Sequence, residues 1–329
     1  MNPFFTHDQF MHHLENNFPW APILKITNVC DYRCAHCCEC SGPDERPDFM
    51  PTDDISEILG QFKTIRNSMR VATITGGEPM TAYKLKSPFY IPKLLKTCAA
   101  SGYSVELKTN CGWTLGDNSD KIFNDLEQFF VKYPRIFCAY HISLDKFHKN
   151  ANDTTVEFLK WYCTNDNLSP NACVHMFYDD LERMTNAMVD LKRKYNIAVD
   201  FKHPAINPIT NEKIDNSQYN LWFFEKSGRN EKFMFWRPYS GIENAGRAKN
   251  TVATIPTPSL SRIINNRSNC AIMFDHASGR VQLFACGNDG GISVPYKNNR
   301  GKIIAIDKLK KQLFQLAYQK YVMEQNMRY

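Results

Sequence analysis

A chain of 329 residues with 43% hydrophobic and 22% charged side chains can bury a real core, which excludes wholesale disorder and low-complexity architectures. Its net charge of +6 is spread along the whole chain, so electrostatics permits a nucleic-acid partner without indicating one. The opening MNPFFTHDQFMHHLENNF lacks the basic start and apolar run of an export signal, and no apolar stretch reaches the ~18 residues of a membrane span, so the expected location is the cytoplasm with no membrane partner.

After an N-terminal extension over residues 1–22, short β-rich apolar runs alternate with segments of helical character, the signature of successive βα units and a parallel sheet. Strands are expected at Ile23–Val29, Val71–Thr75, Ser104–Thr109, Phe137–Leu144, Ala172–Tyr178 and Ala198–Ile206. Helices are expected between them at Asp53–Arg66, Ile91–Ala100, Lys121–Lys132, Thr154–Thr164 and Asp179–Tyr195. Six strands with five intervening helices predict an α/β fold, a partial (β/α)6 TIM-like barrel over residues 23–206, with its chemistry at the carboxyl ends of the strands. The pattern breaks after Pro204, and a small C-terminal region is expected over 207–329, containing a hairpin that turns at Ala277–Gly279 and a terminal helix over Ile306–Met323. The aromatic runs Trp222-Phe223-Phe224 and Phe233–Trp236 read as core, and the histidines His12, His13, His141 and His148 as ordinary hydrogen-bonding residues.

The chain carries twelve cysteines, and a protein kept in a reducing compartment holds them as thiols, which favours metal ligation over disulfides. Five of them fall between Cys30 and Cys40, whereas buried packing thiols would be scattered. In C-D-Y-R-C-A-H-C, Cys30, Cys34 and Cys37 follow the first expected strand at C-x3-C-x2-C spacing. Three thiolates on a four-iron cluster leave one iron open for a small chelating molecule. A structural zinc site is the alternative, although no second matched pair follows. T-G-G-E-P at Thr75–Pro79 closes the second strand; its glycines allow close backbone approach and Glu78 offers a fixed acceptor for an amino group, while an ordinary turn is the plainer explanation. Glu106, Lys108 and Asn110 share one strand face and Ser143 and Asp145 another, positions open either to ligand contact or to strand-end capping.

The three-cysteine loop and the GGE-type motif together resemble the radical S-adenosylmethionine (SAM) superfamily, over residues 23–206. The resemblance implies a 4Fe–4S cluster on Cys30, Cys34 and Cys37 with SAM on the open iron. It places the methionine end of SAM at Gly76, Gly77, Glu78 and Pro79, and further SAM contacts at Asn110, Ser143 and Asp145. His36 stands where the family usually has a larger aromatic beside adenine. It also implies reductive cleavage to a 5′-deoxyadenosyl radical, hydrogen-atom abstraction from a substrate, and an electron donor such as a flavodoxin or ferredoxin.

Cys270 and Cys286, in a C-x15-C arrangement after Gly246–Ala248, resemble the twitch or SPASM appendages that carry auxiliary iron–sulfur clusters, the shorter twitch-like form fitting better because no cysteine follows. A second cluster would recruit Cys38, Cys40, Cys163 or Cys173; two buried hairpin thiols are the plainer reading. Such appendages accompany enzymes that epimerise or cross-link ribosomally made precursor peptides, so a peptide is the expected substrate. The alternatives are a small molecule such as a sugar or alcohol and, remotely, a non-enzymatic zinc or nucleic-acid-binding protein. A cysteine near the site would serve as hydrogen-atom donor in an epimerase.

Overall fold

The structure, a computed structural model, describes residues 5–168, 172–198, 220–225, 231–238, 260, 271–283 and 292–327. The chain is α/β, with two compact units, one comprising Met1–Gly77, Thr97–Ser104 and Gly241–Tyr329 and the other Glu78–Lys96 and Val105–Ser240.

In the first unit, β1 (Ala21–Lys25) lies parallel to both β2 (Val71–Thr75) and β8 (Ala271–Asp275), and β9 (Arg280–Leu283) and β10 (Ser293–Pro295) continue the sheet antiparallel, in the order β10-β9-β8-β1-β2. The hairpin expected in the C-terminal region is β8–β9, yet its first strand is registered residue by residue on the N-terminal strand, Ala21 opposite Ala271 through Lys25 opposite Asp275. Strand β1 stops at Lys25, four residues before the expected end, because both neighbouring ladders end there, at Thr75 and Asp275. Helix α2 (Thr52–Phe62) buries Ile55, Ile58, Leu59 and Phe62, an apolar stripe at helical spacing.

Within the N-terminal extension, α1 (His7–Asn17) was not expected as a helix. It opens with a capping box in which the Thr6 side chain accepts from the Gln9 N–H and the Gln9 side chain accepts from the Thr6 N–H. Its Phe10 packs against Tyr318 and Tyr321, and Trp20 against Phe314, all three on the terminal helix α8 (Ile306–Asn326).

In the second unit the order is β3-β4-β5-β7-β6. Strands β3 (Ser104–Thr109), β4 (Cys138–Leu144) and β5 (Ala172–Tyr178) are parallel, β7 (Glu231–Pro238) runs parallel to β5, and β6 (Asn220–Glu225) pairs antiparallel with β7. The two aromatic runs therefore form a strand pair beside β5, while the expected strand Ala198–Ile206 lies almost wholly outside the described residues. Helices α3 (Ala82–Leu85) and α4 (Tyr90–Ala100) follow β2, and α5 (Ser119–Lys132), α6 (Ala151–Thr164) and α7 (Leu181–Tyr195) follow β3, β4 and β5.

The parallel register divides the β3-β4-β5 sheet into two unlike faces. One carries Val105 and Leu107, Tyr140, Ile142 and Leu144, and Val174 and Met176, all buried. Parallel sheets usually bury apolar residues on both sides. The opposite face begins with buried Ala139 and Cys173 but otherwise carries Glu106 and Lys108, His141 and Ser143, and His175 and Phe177, none of them fully buried. No described helix is long and apolar enough to cross a membrane.

Candidate functional site

The cysteine cluster lies in a loop whose ends are tied down. Beyond β1, the Ile26 N–H donates to Thr75 O at 2.9 Å and the Met50 N–H returns to Ile26 O at 2.8 Å. Between them Val29 bridges Gly42 in parallel, with the Cys30 N–H on Gly42 O at 3.1 Å. Residues 30–41 therefore form an excursion closed at its base, and a short turn inside it, Cys37 N–H to Cys34 O at 3.2 Å, brings the second and third cysteines together along the chain. Cys30 and Cys34 are 8% exposed, Cys37 and Cys38 are half-buried, and Cys40 is exposed in the left-handed region at φ 56°. All ten described cysteines are thiols. The Tyr32 N–H points at Cys30 Sγ at 3.4 Å, the kind of hydrogen bond that tunes iron–sulfur ligands. Three thiols close along the sequence on a braced loop, one already receiving an N–H, offer the donor chemistry of an iron–sulfur cluster, although among the described residues their Sγ atoms are not gathered into one ligand set.

The glycine pair has a structural cause visible at the base of this loop. A Cβ on Gly76 would stand 2.4 Å from Thr27 O, and one on Gly77 2.1 Å from Val29 O, while the Gly77 N–H donates to Thr27 O at 2.9 Å. The close approach that glycine permits is therefore made to the backbone leading into the cysteine loop.

In the second unit, Glu78 is 1% exposed and its carboxylate accepts from the Met80 N–H at 3.0 Å, the Thr109 hydroxyl at 3.0 and 3.1 Å and the Asn110 N–H at 2.7 Å. Pro79 opens a single 3-10 turn, and the Asn110 side chain accepts from the Gly112 N–H at 2.7 Å. Glu78 and Asn110 thus brace the segment after β3. Asp145, 1% exposed, accepts from the N–H groups of Phe147 and His148 at 2.9 and 3.1 Å and faces His148 Nδ1 at 2.9 Å. A carboxylate held against Nδ1 fixes an imidazole and turns its Nε2 away, the arrangement that prepares a histidine for proton transfer or ligation.

Ser143 sits with His141 on the polar sheet face, where the His141 and His175 rings stack at 4.6 Å and 20° and His141 Nε2 lies 3.8 Å from Glu106 Oε1. Glu106 thus faces His141 across the β3–β4 ladder. Three groupings escaped sequence reading: this histidine pair, the Asp145–His148 pair, and a buried ionic network around Lys25. The available signal for the first was that H-I-S-L and H-M-F-Y place histidine at the fourth position of two successive seven-residue strands. Cys270 and Cys286 lie outside the described residues.

No protein-family model matches the chain, and no curated protein does. Among solved structures it is similar to native anSMEcpe with bound AdoMet, at 14% identity and a TM-score of 0.34 over 54% of this chain and 49% of that one. The hexahistidine-tagged form with bound AdoMet gives 14% identity and a TM-score of 0.34 over 54% and 48%, respectively. Native anSMEcpe with bound AdoMet and Cp18Cys peptide gives 12% and 0.34 over 59% and 55%. The chain spans about half the length of these structures, and at such TM-scores the similarity decides neither fold nor function.

Proposed function

We propose that the chain is a radical SAM enzyme whose cluster is held by Cys30, Cys34 and Cys37. The observation that carries this reading is the cysteine loop itself: three thiols at C-x3-C-x2-C spacing in the loop that follows a parallel strand, on a closed base against which Gly76 and Gly77 are packed. When bound, a 4Fe–4S cluster with SAM on its open iron would supply a 5′-deoxyadenosyl radical that abstracts a hydrogen atom from substrate. On this reading the backbone around Gly76 and Gly77 receives the methionine end of SAM. Glu78 and Pro79 shape the turn that follows, Asn110, Ser143 and Asp145 offer polar contacts to the rest of the cofactor, and His36 stands beside its adenine. The substrate class is a precursor peptide, supported by the cysteine-rich loop and the C-terminal Cys270 and Cys286, which would hold an auxiliary cluster.

Iron and sulfide analysis of anaerobically reconstituted protein, followed by a dithionite-driven assay for 5′-deoxyadenosine from SAM, tests the proposal. About four irons in the protein of a Cys270/Cys286 double variant, with SAM cleavage retained, is the expected result. Zinc in place of iron, or 5′-deoxyadenosine production that persists in a Cys34→Ala variant, would overturn it.

A further inference from the structure

Lys25, the last residue of β1, is 3% exposed, and its Nζ lies 2.6 Å from Glu39 and 3.3 Å from Asp275. Glu39 stands between Cys38 and Cys40 in the cysteine loop, and Asp275 ends β8 directly opposite Lys25 in the ladder. The other Asp275 oxygen accepts from the Ala277 N–H at 3.1 Å, fixing the hairpin turn. The next residue, His276, places its Nε2 3.3 Å from Asp48, on the limb of the loop that returns towards α2. Burial alone would push the Lys25 ammonium down, but the two carboxylates outweigh it and hold its pKa above the ordinary value. Removing one member of a buried ionic group strands the others without compensation, so such a group moves as a unit or not at all.

We propose that Lys25, Glu39 and Asp275 form an ionic clamp through which the β8–β9 hairpin fixes the position of the cysteine loop. They are positioning residues for Cys34, Cys37 and Cys38. Residues some 240 positions downstream of the cysteines thereby become part of the frame that presents them. The importance of the clamp for catalysis rests on the proposed function, but the clamp itself is readable on the thiols of metal-free protein.

The experiment is alkylation of reduced, metal-free full-length protein by iodoacetamide, with rates followed at each cysteine by peptide-mapping mass spectrometry. Lys25→Met and Glu39→Gln should each raise the rates at Cys34, Cys37 and Cys38 by about tenfold while buried Cys98 and Cys173 stay protected. The double variant should be no faster than Lys25→Met alone, because both changes open the same unit, whereas general weakening of the fold would give additive effects. Unchanged loop rates, or additive ones, with Cys98 protected would overturn the clamp. Should Lys25→Met expose Cys98 through loss of the fold, Glu39→Gln decides by itself: faster loop labelling supports the clamp and unchanged labelling ends it. A wild-type protein that binds no iron would sink the proposed function and leave this result standing.

Discussion

The cysteines of the 30–40 loop and those of the helices and strands live in opposite surroundings. The loop thiols sit on a segment without regular structure and grade from Cys30 and Cys34, 8% exposed, through half-buried Cys37 and Cys38 to exposed Cys40. Cys98 on α4, Cys138 on β4, Cys163 on α6 and Cys173 on β5 are at most 2% exposed. Burial pushes the Cys98 thiol up to about 12, and burial together with the Glu106 carboxylate does the same to Cys173. The thiolate is the form that attacks and ligates, so a thiol that keeps its proton to such alkaline pH is a packing residue at neutral pH. One residue type is thus divided into a chemical population and an inert one by the element that carries it.

The strongest way to break that division is to exchange the fates of two alanine variants. Cys34→Ala should lose bound iron and reduce 5′-deoxyadenosine formation to background. Cys98→Ala should keep both and lose only about 1 kcal/mol of stability in urea unfolding. Iron loss in Cys98→Ala, with the fold intact, would mean that the element carrying the thiol does not separate the two groups.

A second, smaller effect sharpens the comparison at the base of the loop. In Gly77→Ala a methyl group must find room where it would stand 2.1 Å from Val29 O, and backbone rather than a flexible side chain has to move. We expect a cost of about 1–3 kcal/mol, lowered iron content, and unchanged burial of Cys98, read by unfolding, iron analysis and thiol labelling. Normal iron content in a folded Gly77→Ala protein would show that the packing against Val29 does not set the loop.

The sequence made the loop visible because its chemistry is local: five cysteines within eleven positions need no fold to be noticed. The limits of β2, β3 and β5 were legible for a related reason, since each is a β-rich run bounded by turn or helix signals. What stayed hidden depends on register or on distance along the chain. The His141–His175 stack exists because β4 and β5 pair in one register out of several, and a shift of one strand by one residue would turn its ring to the other face and separate the pair. The Lys25–Glu39–Asp275 group joins residues 14 and 250 positions apart, and nothing local to Asp275 announces a partner in the first strand. Helix α1 was signalled by the Thr6–Gln9 capping box, but its face of Phe10 and Leu14 is narrow among histidines and asparagines.

The burial of Cys98 and Cys173 is also readable as a proton count. Cys98 and Cys173 have an ordinary value of 9.0 and a folded value of about 12, so from pH 9 upwards the unfolded chain has released protons that the folded chain retains. Stability must then fall as pH rises, being fully present below pH 9 and lost through the folded value. Tyr83, Tyr140, Tyr195 and Tyr296, all raised from 10.0 chiefly by burial, and Lys25 and Lys194, raised from 10.5, act with the same sign but begin later. The interval between pH 9 and 10 is therefore where each of the two thiols contributes more than any one of these groups. Each should contribute roughly 1 kcal/mol of lost stability across it. Urea unfolding under reducing conditions at pH 8.5, 9 and 10 should show a slope that flattens in a Cys98→Ala/Cys173→Ala double variant. An unaltered slope would mean that these two thiols release their protons as readily folded as unfolded, and that their burial does not make them inert.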